Sequence, residues 1–135
     1  GVLPSKQMLT AADLAAKHNK PVHLIDQPFN ITLQAVNDAL TIPTILKLIK
    51  DVLISPFAPP PIAFDPGSIP DEQTIKQITA YIEQQYPTLH KALIADRDRY
   101  MARELRQLLD DETTVLAVIG AAHKSGVQQH IAHDD

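Results

Sequence analysis

The sequence has no cysteine, no tryptophan and only four glycines among its 135 residues. The absence of cysteine excludes disulfides, thiol nucleophiles, zinc–thiolate sites and iron–sulfur clusters. Aromatic residues make up 4% of the chain, which is too few for a platform that stacks nucleic-acid bases. The net charge of −4, with acidic and basic residues interleaved, also argues against a nucleic-acid partner.

The length of the chain fits one domain with one hydrophobic core, so we predict a single domain over residues 1–135. Six of the eleven prolines lie in residues 55–70, which predicts a stiff connector there because proline removes backbone donors. The chain opens Gly-Val-Leu-Pro without an initiator Met, and we expect it to be a segment of a longer protein.

Apolar residues recur at helical spacing in six stretches, which predicts six helices. Their predicted starts are Ser5, Asn30, Pro43, a capping pattern at Ser68 and Asp71, Thr88 and Ser125. The fifth helix, residues 88–109, is the longest. Asn19 is the predicted stop of the first.

Two short apolar runs predict parallel strands buried on both faces. Residues 22–25 contain His23, whereas residues 114–119 include Val-Leu-Ala-Val-Ile without polar interruption. The predicted fold is therefore α/β and helix-rich, with helices packed on a short, mainly parallel sheet. Two strands are too few for a stable sheet. We expect an incomplete fragment of a larger domain, with further strands upstream or cover from a second copy of the chain.

Arg97 stands out because it interrupts an apolar stripe on the fifth helix, formed by Leu89, Leu93, Met101, Leu105 and Leu108. None of its neighbours three or four residues away is acidic, so its partner must come from elsewhere in the fold or from a ligand. A distant structural carboxylate and a functional ligand both remain open. Asp96 and Arg99 can instead pair locally on the solvent side.

His123 follows the second predicted strand and precedes a helix, the place where α/β folds bind ligands. Gly120 and Gly126 bracket it and would let backbone approach a ligand closely. Imidazole can hold a metal or carry a proton. Asp26 follows the first predicted strand and is the carboxylate expected to converge on the same edge. A turn residue without function is the alternative for both His123 and Asp26.

The segment Asp-Arg-Asp-Arg-Tyr-Met-Ala (residues 96–102), followed by Val-Leu-Ala-Val-Ile-Gly-Ala-Ala-His-Lys-Ser-Gly-Val (residues 115–127), resembles the TraB/PrgY pheromone-shutdown family. That family shows a Glu-Arg-Asn-x-Tyr-Met-Ala helix and a strand ending in Gly-x-Gly-His-x-x-Gly-Ile. Leu-Ile-Asp-Gln-Pro (residues 24–28) is similar to the family's Ile-Asp-Arg-Pro. Gln27, Asp96 and Ala122 depart from the family pattern.

The resemblance implies a carboxyl-terminal part of a TraB-like domain, related to Tiki-type metal-dependent peptidases and the erythromycin-esterase/ChaN-like group. It implies His123 as a metal ligand or catalytic group, and Arg97 as the arginine that binds an acidic partner or a substrate carboxylate. We place Asp26 with these two as catalytic, and Gly120, Gly126 and Asp96 as substrate-binding. A first Gly-x-x-His motif and its carboxylate would lie upstream, so this fragment alone is expected to be inactive.

Two functions of different class follow. One is a divalent-metal-dependent peptidase in the full-length parent, which would shut down a secreted peptide pheromone in the context of plasmid conjugation. The other is a non-catalytic peptide-binding or dimerisation module. The resemblance implies a membrane-associated bacterial parent, with membrane contact only through parts outside this chain. The expected partners are a peptide and a second copy of the chain.

Overall fold

The computed structural model of the protein describes residues 5–54, 67–68, 70–112 and 114–133, and most of these residues are helical. The helices are α1 (Lys6–Lys17), α2 (Phe29–Ala39), α3 (Ile42–Ile54), α4 (Glu72–Gln85), α5 (Pro87–His90), α6 (Asp96–Asp111) and α7 (Lys124–His133). A π-helical turn (Lys91–Ala95) joins α5 to α6, and a 3-10 turn (Ala121–His123) leads directly into α7. Most of the predicted connector at 55–70 lies outside the described residues.

Side-chain caps explain where two of the helices begin. The Ser5 hydroxyl accepts a hydrogen bond from the Met8 N–H at 3.3 Å, and this confirms the predicted start of α1. Asp71 caps α4 by accepting from the Thr74 N–H at 2.7 Å. After α1, Asn19 has a φ of 51°, a left-handed conformation that asparagine tolerates and that ends a helix.

The N-cap of the second helix lies two residues before the predicted one, and the third helix starts one residue before its predicted position. Pro28 stands at the N-cap of α2 and no side chain caps this helix, so the prediction of Asn30 as its cap is wrong. Helix α3 begins at Ile42, which places Pro43 in the first turn. A proline is tolerated there because the first N–H groups of a helix have no partner within it.

The predicted fifth helix is helical throughout, but its hydrogen bonding changes along its length. In the π-helical turn the register lengthens, and the Asp96 N–H bonds to the Lys91 carbonyl five residues earlier. Such a turn accommodates one extra residue. Residues of α5 and α6 that are separated by multiples of three or four positions therefore no longer lie on the same face when this turn is between them.

The small core lies where α6 packs against α7. Met101, Ala102, Leu105 and Val127 are buried there. Ile25, Val115 and Ile119 pack against this cluster from the two apolar runs that precede α2 and α7. Each run therefore buries one set of side chains on the helices.

The prediction of an α/β fold is wrong: the described residues contain no strand and no sheet. The runs 22–25 and 114–119 are irregular in backbone, and they lie on the helices without forming a ladder with each other. Leu24 is 94% exposed and Leu116 is 89% exposed, so the runs are covered on one face only. Uninterrupted apolar sequence indicates burial on two faces, but here one face packs on α6 and α7 while the other meets solvent.

Within the described ranges, no helix is both long enough and apolar enough to cross a lipid bilayer.

Candidate functional site

A buried histidine–carboxylate pair joins the start of α6 to the 3-10 turn before α7. The Nδ1 atom of His123 lies 2.6 Å from Oδ1 of Asp98, and the two residues are only 6% and 4% exposed. A carboxylate oxygen can only accept, so Nδ1–H donates and the bond fixes the orientation of the imidazole. The Nε2 atom is then the ring nitrogen that can take a proton or bind a ligand.

Gly126 explains how Asp98 reaches His123. A Cβ atom built on Gly126 would lie 1.9 Å from Oδ2 of Asp98 and 2.7 Å from its Cγ. No side chain fits at this position, so the first turn of α7 needs glycine there for the carboxylate to pack against its backbone. The sequence pattern predicted a substrate-binding role for Gly126, and the structure places this residue beneath Asp98.

Arg97 forms a two-point ion pair with Asp26, which lies 71 positions earlier in the chain. Its Nε donates to Oδ1 at 3.1 Å and its Nη2 donates to Oδ2 at 2.7 Å. The remaining Nη1 donates to the Leu93 carbonyl at 3.2 Å. The predicted distant partner of Arg97 is therefore Asp26, and the pair is partly open to solvent.

The ionisation of this pair follows from its contacts. Partial burial opposes the charge on Asp26, but the hydrogen bonds and charge of Arg97, with the Gln27 N–H, hold the pKa of Asp26 below its ordinary value of 3.8. The hydrogen bonds to Asp26 in turn raise the pKa of Arg97. Both side chains are thus charged across the whole neutral range.

The two pairs are close enough to act on each other. Among the smaller effects, the nearby His123 ring contributes to lowering the pKa of Asp26, and the charge of Asp98 raises the pKa of Arg97. Asp26, Arg97, Asp98 and His123 therefore form one cluster, which we call the charged cluster. It lies where the 22–25 run, the start of α6 and the 3-10 turn meet.

Two other predicted site residues lie beside the charged cluster rather than in it. Asp96 accepts two hydrogen bonds from Lys91 Nζ at 2.7 and 2.8 Å, and lies 3.7 Å from Arg99. The predicted local pair of Asp96 and Arg99 is confirmed. The predicted substrate-binding role of Asp96 stays a prediction. Gly120 has ordinary space around it, since a Cβ there would meet Cδ2 of His123 at 3.4 Å.

Asp98 is the residue of the charged cluster that the sequence pattern did not single out. A regular helix from Leu89 onward places Arg97 in the apolar stripe as its interruption. In α6 the buried residues are Asp98, Met101, Ala102 and Leu105. Asp98 lies three residues before Met101 and seven before Leu105, so it shares their buried face of the helix. A carboxylate on an apolar face needs a partner, and this is the sequence signal that identifies Asp98.

A cavity of about 370 Å³ is lined in part by Asp98. Helices α4, α6 and α7 and the π-helical turn contribute to its wall. Its polar lining includes Glu72, Lys76, Glu83, Asp98, Lys124 and His130. Arg97 and His123 are not among the residues that line it. Asp98 therefore connects the charged cluster to a cavity of mixed charge.

The charged cluster does not fit a divalent metal by itself. No group of three or more histidines and carboxylates is arranged to hold an ion within the described part of the chain. The Nδ1 atom of His123 is already bonded to Asp98, and Asp26 is bonded to Arg97. His123 Nε2 is one nitrogen, whereas catalytic metal sites in proteins have about three protein ligands.

Comparison with known proteins identifies the family. The model of the TraB/PrgY/gumN family matches residues 65–134, which include α4 to α7 and three of the four residues of the charged cluster. The chain is 27% identical over 132 residues to an uncharacterized protein of Methanocaldococcus jannaschii, covering 97% of this chain and 33% of the relative.

The chain thus spans about a third of the length of the relative that it matches. No solved structure matches it significantly. The family match covers more than half of the chain and agrees with the resemblance of residues 96–102 and 115–127. The chain belongs to the TraB/PrgY/gumN family.

Proposed function

We propose that this chain contributes the histidine and arginine of a peptide-hydrolysing site in a TraB-family protein. The observation that carries the proposal is the buried bond between His123 Nδ1 and Asp98 Oδ1. A carboxylate that holds one imidazole nitrogen is the arrangement by which proteins prepare the other nitrogen for proton transfer or ligation. Burying both groups is costly unless they are paired, so the pair is held tightly.

In this proposal His123 Nε2 moves the proton. It accepts a proton from the water that attacks the scissile carbonyl, and it donates a proton to the departing amine. Asp98 keeps the ring oriented and stabilises the imidazolium that forms between the two steps. Asp98 acts through His123 and is therefore a positioning residue.

Arg97 binds negative charge in the same site. Its planar guanidinium matches a carboxylate at two points, as its contact with Asp26 illustrates. A carboxylate of a peptide substrate would share or replace Asp26 on Arg97. The substrate class is a short peptide, in line with the secreted pheromone that the resemblance implies.

These steps use only side chains of this chain and a water molecule. Among the described residues of the cluster, His123 Nε2 is a possible ligand for a divalent metal, and no complete ligand set is present there. Were a metal bound in the longer protein, it would polarise the carbonyl and lower the pKa of its water, and His123 would be the ligand from this chain.

A second candidate function is peptide binding without hydrolysis. The cavity beside Asp98 favours it, because its lining carries both lysines and glutamates along helices α4 and α7. Such a surface can bind a peptide through its charged groups and backbone. In that case the charged cluster maintains the shape of the cavity and His123 has no chemical step.

The test compares peptide cleavage and peptide binding in the complete gene product. His123→Gln and Asp98→Asn would be assayed by mass spectrometry against a library of synthetic peptides, with His18→Gln as the control. His18 lies exposed at the end of α1. The proposal predicts that both site variants lose cleavage while His18→Gln keeps it. Binding without cleavage in the wild-type protein supports the second candidate and contradicts the first.

A further inference from the structure

Helix α3 turns its polar side toward the protein and its apolar side toward solvent. Lys47 Nζ donates to Oε1 of Gln85 at 3.0 Å and lies 4.6 Å from the centre of the Tyr86 ring. Asp51 accepts a hydrogen bond from the Tyr86 hydroxyl. These contacts fix the face of α3 that carries Thr44, Lys47, Leu48 and Asp51, which are its partly buried residues. An ordinary surface helix packs the opposite way, with its apolar stripe inward.

The outward face of α3 is a stripe of large aliphatic side chains. Ile42, Leu46, Ile49 and Leu53 follow one another at intervals of four, three and four residues, and Ile45 and Val52 flank them. All six are between 41% and 75% exposed. Intervals of four, three and four residues are the spacing by which two helices pack against each other along a seam.

The exposed area of this stripe is on the scale of a protein interface. Together the six side chains leave on the order of 700 Å² of apolar surface in solvent, whereas the largest patch of an ordinary monomer is about 300–600 Å². A standard interface buries about 800 Å² on each partner. The α3 stripe alone therefore supplies most of what one side of a stable dimer needs.

We infer that α3 is a self-association surface, on which the α3 helix of a second copy of this chain packs. A symmetric dimer places the same patch of both copies in contact, so the two stripes cover each other. The interface needs no polar partner, because the stripe itself carries no charged side chain. This surface is separate from the charged cluster and does not depend on the function proposed for it.

A membrane surface is the other partner that an apolar helix face could take, and the charges of α3 favour it less. An interfacial helix presents lysines and arginines from its polar face to lipid headgroups. On α3 that face is docked on the protein, and Lys47 is bonded to Gln85. Lys50 is the remaining basic residue of the helix, and the chain as a whole is acidic.

The test measures the mass of the chain in solution by sedimentation at several concentrations. We expect a dimer. We expect Leu46→Arg to raise the dissociation constant of the dimer by at least about tenfold, since Leu46 lies in the centre of the stripe. Leu116→Arg is the matched control, because Leu116 is 89% exposed in the 114–119 run and lies outside α3. Circular dichroism shows whether each variant keeps its helices.

A cross-linking experiment remains informative if the arginine variant misfolds. The chain has no cysteine, so Leu46→Cys introduces a single thiol that should form a covalent dimer on oxidation, while Leu116→Cys should not. A wild-type chain that stays monomeric, or equal cross-linking of both variants, would overturn the inference. Binding of the wild-type chain to anionic vesicles that Leu46→Arg abolishes would also overturn it. So would a monomeric complete gene product, because the rest of the polypeptide would then cover α3.

Discussion

Asp98 and Gly126 approach so closely that the carboxylate of one occupies the space in which the other would carry a side chain. This contact links α6 to α7 at the point where His123 is held. It gives a simple physical reason for a glycine in the first turn of α7, where glycine otherwise lowers helix stability by about 1 kcal/mol relative to alanine.

Substituting this glycine should destabilise the protein. Gly126→Ala should lower the free energy of unfolding by about 1–3 kcal/mol, because the added methyl group must push Asp98 away from His123. Gly120→Ala is the control, since its Cβ has ordinary space and its stability should stay within about 0.5 kcal/mol of wild type. Urea denaturation measures both. Equal effects of the two substitutions would argue against the contact.

A double-mutant cycle tests the bond between Asp98 and His123. Either Asp98→Ala or His123→Ala leaves a buried polar group without its partner, and each should cost about 1–3 kcal/mol of unfolding free energy. The double variant should cost less than the sum of the two, with a coupling of about 1.5–3 kcal/mol. Additive losses would mean that the pair contributes no mutual stabilisation.

Acid should weaken the ion pair of Asp26 and Arg97. The pKa of Asp26 is lowered in the folded protein, so its contribution to stability is complete above its ordinary value of 3.8 and disappears as the pH falls through the folded value. At neutral pH, Asp26→Asn should cost about 0.5–1 kcal/mol, as expected for a partly exposed pair. The difference from wild type should shrink below about pH 4. A difference that stays constant into acid would contradict this prediction.

Tyr86 should make the protein sensitive to alkali. Desolvation and its hydrogen bond to Asp51 raise the pKa of Tyr86 from 10.0 to about 12. A raised pKa means that the stabilisation is complete below pH 10.0 and is lost as the pH rises through about 12. Tyr86→Phe should lower the stability at neutral pH by about 1 kcal/mol and remove the late step from an ultraviolet titration of tyrosine. A titration unchanged by the substitution would contradict the assignment.

Local signals predicted the helices well. Ser5 and Asn19 delimit α1 because a hydroxyl cap and a left-handed residue act within a few positions of the backbone. Pro43 lies in the first turn of α3, within one residue of its predicted place, for an equally local reason, namely the fixed φ of proline. The prediction of the family from residues 96–102 and 115–127 is likewise confirmed.

The runs 22–25 and 114–119 could not be read correctly because strand formation depends on partners elsewhere in the chain. Apolar composition indicates how much of a segment prefers to avoid water, and it does not indicate whether another strand is available for pairing. Ile25, Val115 and Ile119 find cover on α6 and α7 instead. A sheet therefore does not form in the described residues, although the sequence pattern suits one.

The charged cluster was predicted in part. Chemistry alone indicated that Arg97 needs an acidic partner, and Asp26 provides it. A stripe counted by fours from Leu89 passes through Arg97, and this count crosses the π-helical turn. Counted back from Met101 and Leu105 within α6 alone, the stripe reaches the buried Asp98, so the signal was local to α6. The roles assigned to Arg97, His123, Asp26, Gly120, Gly126 and Asp96 remain predictions.

The sequence separations within the charged cluster imply an order of assembly. His123 and Asp98 are 25 positions apart, whereas Asp26 and Arg97 are 71 apart. Closing the longer loop costs about 1 kcal/mol more entropy. The α6–α7 hairpin can therefore form first and bring Asp98 and His123 together. The amino-terminal quarter of the chain, which carries Asp26, then docks onto Arg97.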